Sequence, residues 1–204
     1  HFNPNSNVHL AQAYLRPDKK IINEMSDKIP LIICLACNRR LPENISILNL
    51  MNSICKDLDE FEIIIRLHPS VDYNSYLKII KKLELKFKYL LPLNKKKFAY
   101  EYSNNAIFIT GLSGVYYDLL YLGFKTIFYR YPYELFEELP RAIEPFEDKV
   151  QLLKQLNAIK NLKQKEWIIK SKSVVNYTLN HNILEVKKNN FMLDILDILD
   201  NKIK

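Results

Sequence analysis

Two short polar segments of this 204-residue chain carry side chains suited to binding a phosphate group. In the first, Arg66 and His68 come at the end of an apolar run and are followed by Pro69. Because proline holds the preceding residue in an extended conformation and ends a strand, the His68 imidazole is expected to project from the strand end. Such an imidazole hydrogen-bonds when neutral, and when protonated it pairs with phosphate or acts as a general acid. The alternative interpretation is a strand-end histidine bonded only to backbone.

The second polar segment is Thr110–Gly114, which interrupts another apolar run. The chain has only three glycines, and two of them, Gly111 and Gly114, flank this turn. In so glycine-poor a chain, glycine is expected where a side chain is not tolerated. A phosphate can approach the backbone closely at such a turn, where helix N–H groups point at the anion. Alternatively, the turn is a generic βαβ connection; Ser113 binds phosphate, caps the following helix, or does both.

The hydrophobic pattern predicts a scaffold that brings these segments together. Apolar runs typical of buried strands alternate with amphipathic helical segments. The predicted strands are Pro30–Cys37, Glu60–Leu67, Lys86–Leu91, Ala106–Ile109 and Lys125–Tyr129. The predicted helices are Ile45–Leu58, Tyr73–Leu85, Asn94–Tyr102, Val115–Leu122 (closed by Gly123 as C-cap), Glu147–Leu156, Trp167–Leu179 and Phe191–Ile203. This alternation indicates an α/β fold: a Rossmann-like parallel sheet with helices on both faces, plus C-terminal helices.

In such a sheet, ligands bind at the carboxyl ends of the strands, where the strand order reverses. Three predicted strand ends carry polar residues: 38–40, 66–69 and 110–114. Their convergence predicts a binding site at that edge. Two further roles are open: Arg66 either faces the site or is a buried structural partner, and Asp118 either receives a base or ribose hydroxyl or is an exposed helix residue.

The two polar segments together resemble the C-terminal half of GT-B glycosyltransferases that use cytidine nucleotides. A strand ending in His-Pro (IIIRLHPS, Ile63–Ser70) is followed about 40 residues later by a strand ending in a serine-bearing, glycine-rich turn (FITGLSGVYYDLLYLGFKTIFY, Phe108–Tyr129). Enzymes with these motifs include bacterial sialyltransferases, polysialyltransferases, capsule Kdo transferases and teichoic-acid polyol-phosphate transferases. The resemblance covers about Leu31–Tyr133.

The resemblance implies roles for individual residues. It gives His68 the catalytic role and places His68 and Ser113 against the donor's phosphate and cytidine. Many members have two hydroxyl residues at the second motif, and Gly114 stands where the second would be. The candidate nucleotide- and phosphate-binding residues are Arg39, Arg66, His68, Thr110, Gly111, Leu112, Ser113, Gly114 and Asp118.

The resemblance also implies an activity and partners. It implies the nucleotide-sugar-binding half of an inverting GT-B glycosyltransferase for bacterial surface polysaccharide, such as capsule or lipooligosaccharide. The donor would be CMP- or CDP-linked, and the partners a glycan acceptor and the N-terminal domain of the same protein, without which this chain would be inactive. No cofactor or metal is expected. The alternatives are a non-enzymatic nucleotide- or phosphate-binding regulatory domain and a UDP-sugar transferase or epimerase of GT-B architecture.

Composition limits the class of protein. Residues 1–28 are polar and irregular and predict a linker or entry segment before a domain over 29–204; the chain is interpreted as the later part of a longer protein. A hydrophobic content of 48% supports a core, and no apolar run is long enough to span a membrane. The net charge of +7 suits anionic partners. Because the basic residues are scattered, nucleic acid is not expected as a partner, whereas peripheral membrane contact is.

Cys34 and Cys37 have CxxC spacing, but no second CxxC or histidine pair completes a zinc site. Because both fall within an apolar run, they are predicted to be small buried hydrophobic residues of a strand. Thiols of this kind favour a reducing, cytoplasmic location, with the inner face of the membrane as an alternative.

Overall fold

The structure is a computed structural model that describes residues 28–68, 73–82, 89–91, 105–132 and 141–186. The predicted linker, apart from Lys28, lies outside the described residues. So do the predicted helices Asn94–Tyr102 and Phe191–Ile203. No helix in the described ranges is long and apolar enough to cross a membrane.

A five-stranded parallel sheet forms the centre of the described chain. Its strands are β1 (Ile29–Cys34), β2 (Phe61–Arg66), β3 (Tyr89–Leu91), β4 (Ile107–Thr110) and β5 (Lys125–Phe128). The spatial order is β3-β2-β1-β4-β5. The chain therefore builds outward in one direction from β1 and in the other from β4, so the strand order reverses between these two strands. This topology confirms the predicted Rossmann-like α/β fold.

Helices connect and follow the strands. They are α1 (Leu41–Ile54), α2 (Tyr73–Lys82), α3 (Val115–Tyr121), α4 (Lys149–Lys160) and α5 (Gln164–Val186). The first helix was predicted to start at Ile45, but it begins at Leu41, because Pro42 lies in its first turn, where a missing N–H does no harm. The last described helix is also longer than the predicted Trp167–Leu179.

Apolar side chains pack on both faces of the sheet, as expected for parallel strands covered on both sides. Ile33 of β1 belongs to the larger cluster together with Leu48 of α1. Ile32 and Phe108 belong to the smaller cluster together with Leu119 of α3. Right-handed crossovers that run in opposite directions place α1 and α3 on opposite faces of the sheet.

The turn between α3 and β5 is secured by the start of α5. Gly123 has a φ of +80°, a left-handed conformation that favours glycine, which confirms its predicted role in ending the helix. Gln164 donates a side-chain hydrogen bond to the Gly123 carbonyl, and Trp167 Nε1 donates to the Phe124 carbonyl at 2.7 Å. At the same amino edge of the sheet, Lys125 Nζ donates to the carbonyl of Lys160, the last residue of α4, at 3.2 Å.

Candidate functional site

The polar strand ends meet at the carboxyl edge of the sheet. Cys34, the last residue of β1, pairs in register with Arg66 of β2 and with Thr110 of β4. Because residues in register on parallel strands point to the same side, these three side chains form a row on one face. Phe128 of β5 extends this row. The structure thus brings the ends of three predicted strands together where the strand order reverses, the usual ligand position in such sheets.

The two central residues of this row are buried. Thr110 is fully buried, and its hydroxyl has no hydrogen-bond partner in the structure described. An unbonded buried hydroxyl costs about 1–3 kcal/mol, so Thr110 leaves an unsatisfied polar group directly before the Gly111–Gly114 loop. Burial raises the pKa of the Cys34 thiol to about 12, against a smaller, opposite effect of the Arg66 charge. Cys34 is therefore a neutral neighbour of this hydroxyl.

A carboxylate of the chain itself occupies the start of the Gly111–Gly114 loop. Glu43 Oε1 accepts a hydrogen bond from the Leu112 amide at 2.7 Å, and Oε2 accepts one from Arg40 Nε at 2.7 Å. Glu43 is only 2% exposed. A Cβ at Gly111 would overlap Glu43 Oε1, so glycine is needed here to accommodate this side chain. The close approach that the sequence suggested for a phosphate at Gly111 is made by Glu43 instead.

The other end of the loop is open. A Cβ at Gly114 would have no heavy atom of the described residues within 4 Å, and its φ of −55° suits any residue. No hydrogen bond formed between described residues uses the amide N–H of Ser113 or of Gly114. The Ser113 hydroxyl makes only a long contact, 3.4 Å, to the Val115 amide, and Gly114 rather than Ser113 is the N-cap of α3. Gly114 is exposed and Ser113 is half-buried, so two backbone amides without a partner among the described residues lie at this end of the loop.

His68 lies just beyond β2 at the same edge of the sheet and is half-buried. Burial lowers the pKa of its imidazole below the ordinary 6.5, so the ring is neutral at pH 7. A phosphate placed beside it would shift this pKa upward, because a nearby negative charge favours the protonated ring. Arg66, two residues earlier, is also half-buried. Pro69 lies outside the described residues.

The remaining predicted site residues differ in exposure. Arg39 is exposed in a short 3-10 turn, and it is the neighbouring Arg40 that pairs with Glu43. Leu112 is 36% exposed, which is high for a large apolar side chain. Asp118 is half-buried, not exposed as one interpretation held, and burial raises the pKa of its carboxyl to about 6.

Sequence reasoning did not select Asn44, which fixes the loop after β1. This side chain is 1% exposed. Its Oδ1 accepts from the Ala36 amide at 2.9 Å, and its Nδ2 donates to the Ala36 carbonyl at 3.0 Å and to the Tyr76 hydroxyl at 2.7 Å. The bonds tie the β1 loop to α1 and α2.

Glu43 was also missed, although the sequence holds a signal for both residues. Glu43 and Asn44 precede Ile47 and Leu48 by one helical turn, and all four side chains are buried. A polar residue on the buried face of a helix needs a hydrogen-bond partner, so it marks a structural or functional contact.

A cation also lies at the carboxyl edge beside β5. The Arg141 guanidinium carbon is 4.1 Å from the ring centroid of Phe128, and Nη1 donates to the Tyr117 hydroxyl at 2.5 Å. The adjacent Ala142 amide donates to the Tyr116 hydroxyl at 3.0 Å. Burial raises the pKa of Tyr116 to about 12, so this tyrosine is neutral. Nothing in the sequence pattern singled out Arg141.

The CxxC pair divides between two environments. Cys34 is buried in β1 as predicted, but β1 ends there, so Cys37 lies beyond the strand and is half-buried. Both are free thiols. Among the described residues, no group of three or more histidine, cysteine, aspartate or glutamate side chains is placed to hold a metal ion.

No protein-family model and no curated protein sequence matches the chain. Among solved structures, a protein assigned as a UDP-N-acetylglucosamine 2-epimerase from Listeria monocytogenes matches with a TM-score of 0.54 and 12% identity, over 89% of this chain and 52% of that one. The wall teichoic acid polymerase TagF, soaked with CDPG, matches with a TM-score of 0.48 and 17% identity, over 96% of this chain and 48% of that one.

The C-terminal domain of LpcC, a group 1 family glycosyl transferase from Francisella tularensis, matches with a TM-score of 0.44 and 11% identity, over 84% of this chain and 90% of that domain. The present chain spans about half the length of the epimerase and polymerase structures. The likeness to the Listeria protein is a likeness of fold, and it agrees with the Rossmann-like α/β sheet described above.

Proposed function

We propose that this chain is the nucleotide-sugar-binding half of an inverting GT-B glycosyltransferase for bacterial surface polysaccharide. The observation that carries the proposal is the Gly114 end of the loop, at the point of strand reversal, where the Ser113 and Gly114 amides bond to no described residue and a Cβ at Gly114 would meet none. Successive backbone N–H groups in a tight loop suit an anionic phosphate. The unsatisfied hydroxyl of Thr110 directly precedes them.

In the proposed complex, the donor's phosphate lies against the Ser113–Gly114 end, and His68 and Arg66 serve the leaving group from the neighbouring strand. As the bond to the sugar breaks, negative charge grows on the phosphate oxygen, and these two side chains stabilise it. His68 starts neutral and gains basicity beside this charge, so it can donate a hydrogen bond or deliver a proton. Asp118 accepts a hydrogen bond from a ribose or base hydroxyl.

The proposal assigns the remaining chemistry to the partner half of the protein. Inversion requires a base that removes the proton of the acceptor hydroxyl as that oxygen attacks the sugar carbon. The N-terminal domain would supply this base and most of the acceptor site. The proposed location is the cytoplasm or the inner face of the membrane, where the acceptor glycan is extended.

The proposed donor is CMP- or CDP-linked, on the strength of the His-Pro and serine motifs. A UDP-sugar is the second candidate, because the Listeria protein that shares the fold is assigned as a UDP-N-acetylglucosamine 2-epimerase. Both donors present a phosphate to the same loop and differ at the base. Identifying the preferred nucleotide is therefore the first step in choosing between a transferase that uses a cytidine nucleotide and a UDP-sugar transferase or epimerase.

The test is calorimetric titration of the 204-residue chain with CMP, CDP, UDP and GDP, with cytidine and uridine as phosphate-free controls. The expected result is tightest binding of CMP or CDP, with the nucleosides binding more weakly. A preference for UDP would move the assignment to the UDP-sugar alternative. Equal affinity for nucleosides and nucleotides, or no binding of either, would overturn the proposed site. The chain alone should bind donor without transferring sugar.

A further inference from the structure

The carboxylate of Glu43 joins the two loops that meet where the strand order reverses. One of its oxygens accepts from Arg40, in the turn after β1, and the other accepts from the Leu112 amide, in the loop after β4. Through these two bonds, one side chain of α1 connects the turn after β1 with the loop after β4. A single side chain thereby sets the spacing across the candidate site.

The bridge that Glu43 forms between Arg40 and the Leu112 amide is held in place by its neighbours. A buried carboxylate is stable only when paired and hydrogen-bonded, and Glu43 has one cationic and one backbone donor. The next residue, Asn44, fixes the first turn of α1 to Ala36 and Tyr76. The absence of a Cβ at Gly111 lets the carboxylate lie directly against the loop backbone.

The bridge also decides which part of the loop is available to an anion. The Leu112 N–H is already bonded to Glu43, and a carboxylate beside it repels a second negative charge. The amides of Ser113 and Gly114 are on the open side. An incoming phosphate therefore meets donors at one end of the loop and a negative charge at the other.

We propose that Glu43 is a positioning residue of the nucleotide site: it fixes the Gly111–Gly114 loop and confines the ligand's phosphate to the Ser113–Gly114 end. This inference rests on the proposed function for its ligand. Glu43 itself does not touch the phosphate. We expect Glu43 to affect the part of the binding free energy that the phosphate contributes, and not the part that the nucleoside contributes.

The first experiment measures that share. Calorimetry gives the affinities of CMP and cytidine, and of UDP and uridine, for the wild type, Glu43→Ala, Glu43→Gln and the control Glu60→Gln. Glu60 directly precedes β2, at the amino edge of the sheet, and its side chain is 47% exposed and paired with Lys160. Its change therefore removes a glutamate charge away from the loop. We expect Glu43→Ala to lower the nucleotide-to-nucleoside affinity ratio by about 10-fold, because the loop loses the hydrogen bond that fixes it and this loss outweighs the removal of a repelling charge. Glu43→Gln should lose less, because its amide oxygen can still accept from Leu112.

Two comparisons of the nucleotide-to-nucleoside affinity ratio decide the outcome. Glu60→Gln should leave the ratio at the wild-type value. If Glu43→Ala lowers nucleotide and nucleoside affinity by the same factor, changes neither, or raises the ratio, Glu43 does not position the loop for the phosphate and the inference is overturned.

The second experiment needs no ligand and separates this inference from the proposed function. Amide hydrogen exchange at Leu112 and Ser113 is compared with exchange at Ile109, within β4. In Glu43→Ala, or in the similarly sized Glu43→Met should the alanine variant not fold, the Leu112 amide loses its acceptor, so exchange at Leu112 should accelerate by about 10-fold while Ile109 is unchanged. Unaltered exchange at Leu112 would overturn the positioning role even if nucleotides bind. A wild type that binds no nucleotide overturns the proposed function and, with it, the ligand part of the inference, whereas the exchange data still decide whether Glu43 fixes the loop.

Discussion

Gly111 and Gly114 belong to one loop, and the structure surrounds them in opposite ways. A Cβ at Gly111 would overlap the Glu43 carboxylate, whereas a Cβ at Gly114 would meet none of the described residues. Neither glycine has a positive φ, so neither is required by backbone conformation. The first glycine is explained by an internal neighbour, and the second has no internal explanation. Within one loop, the fold therefore packs one end and leaves the other without a described neighbour.

The largest expected effect comes from a substitution at Gly111, at the packed end of the loop. Gly111→Ala places a methyl group against a buried carboxylate and should destabilise the protein by about 3 kcal/mol, at the upper end for overpacking. Chemical denaturation of the purified variant measures this loss. In the Glu43→Ala background, the same substitution should cost less than about 1 kcal/mol, because the obstructing side chain is gone. An equal penalty in both backgrounds would mean that Glu43 is not what Gly111 accommodates.

The next effect concerns His68, just beyond β2, and Ser113, which we propose to contact the same phosphate. His68→Ala should weaken nucleotide binding by about 1–3 kcal/mol and move the melting temperature little. Ser113→Ala should cost about 0.5–1.5 kcal/mol of binding, because the loop amides remain. The double variant should lose less than the sum, since both side chains serve one ligand. If His68→Ala unfolds the protein and leaves residual affinity unchanged, His68 is a structural residue.

Asp118 lies one helical turn beyond Gly114, and its burial predicts a pH-dependent stability. Its pKa is raised by burial to about 6, so the folded state holds the proton more tightly than the unfolded chain. Its contribution to stability is present at low pH and is lost as the pH rises through about 6. Asp118→Asn should therefore stabilise the protein by about 1–2 kcal/mol at pH 7.5, allowing for its partial exposure, with the gap narrowing as the pH falls toward 4. Melting curves across this range check it; a pH-independent gap would contradict the assignment.

The smallest expected effect tests the open end directly. Gly114→Ala meets no neighbour and has a helical φ, so it should stabilise the protein by about 0.4–1 kcal/mol through the unfolded chain. The same methyl group should obstruct the phosphate and lower nucleotide affinity. Melting temperature and calorimetry together measure the opposed changes. Unchanged affinity in a stabilised variant would place the ligand elsewhere.

The fold was accessible from the sequence because its signals are local. The apolar run Ala106–Ile109 and the turn after it predicted a buried strand followed by a helix, and the structure has β4 and α3 there. Gly123 marked a helix end through its own backbone preference. Each of these features depends on residues that are neighbours in the chain.

The composition of the site was less accessible because it depends on distant contacts. Glu43 lies before the predicted start of its helix at Ile45, and its partner Leu112 is 69 residues away, so no local pattern links the two. The sequence left open whether Asp118 is exposed, because the burial of a side chain on a helix depends on what packs around that helix. The unsatisfied Thr110 hydroxyl is defined by what surrounds it in three dimensions and has no signature in the sequence.

The contacts between α5 and the α3–β5 turn have a consequence for synthesis of the chain. The carbonyls of Gly123 and Phe124 receive bonds from Gln164 and Trp167, which follow them by 41 and 43 residues. A ribosome that has translated β5 has made every strand of the described sheet without these two bonds. The nascent chain is therefore expected to remain open to proteases at this turn until Trp167 leaves the exit tunnel, well after its last strand has emerged.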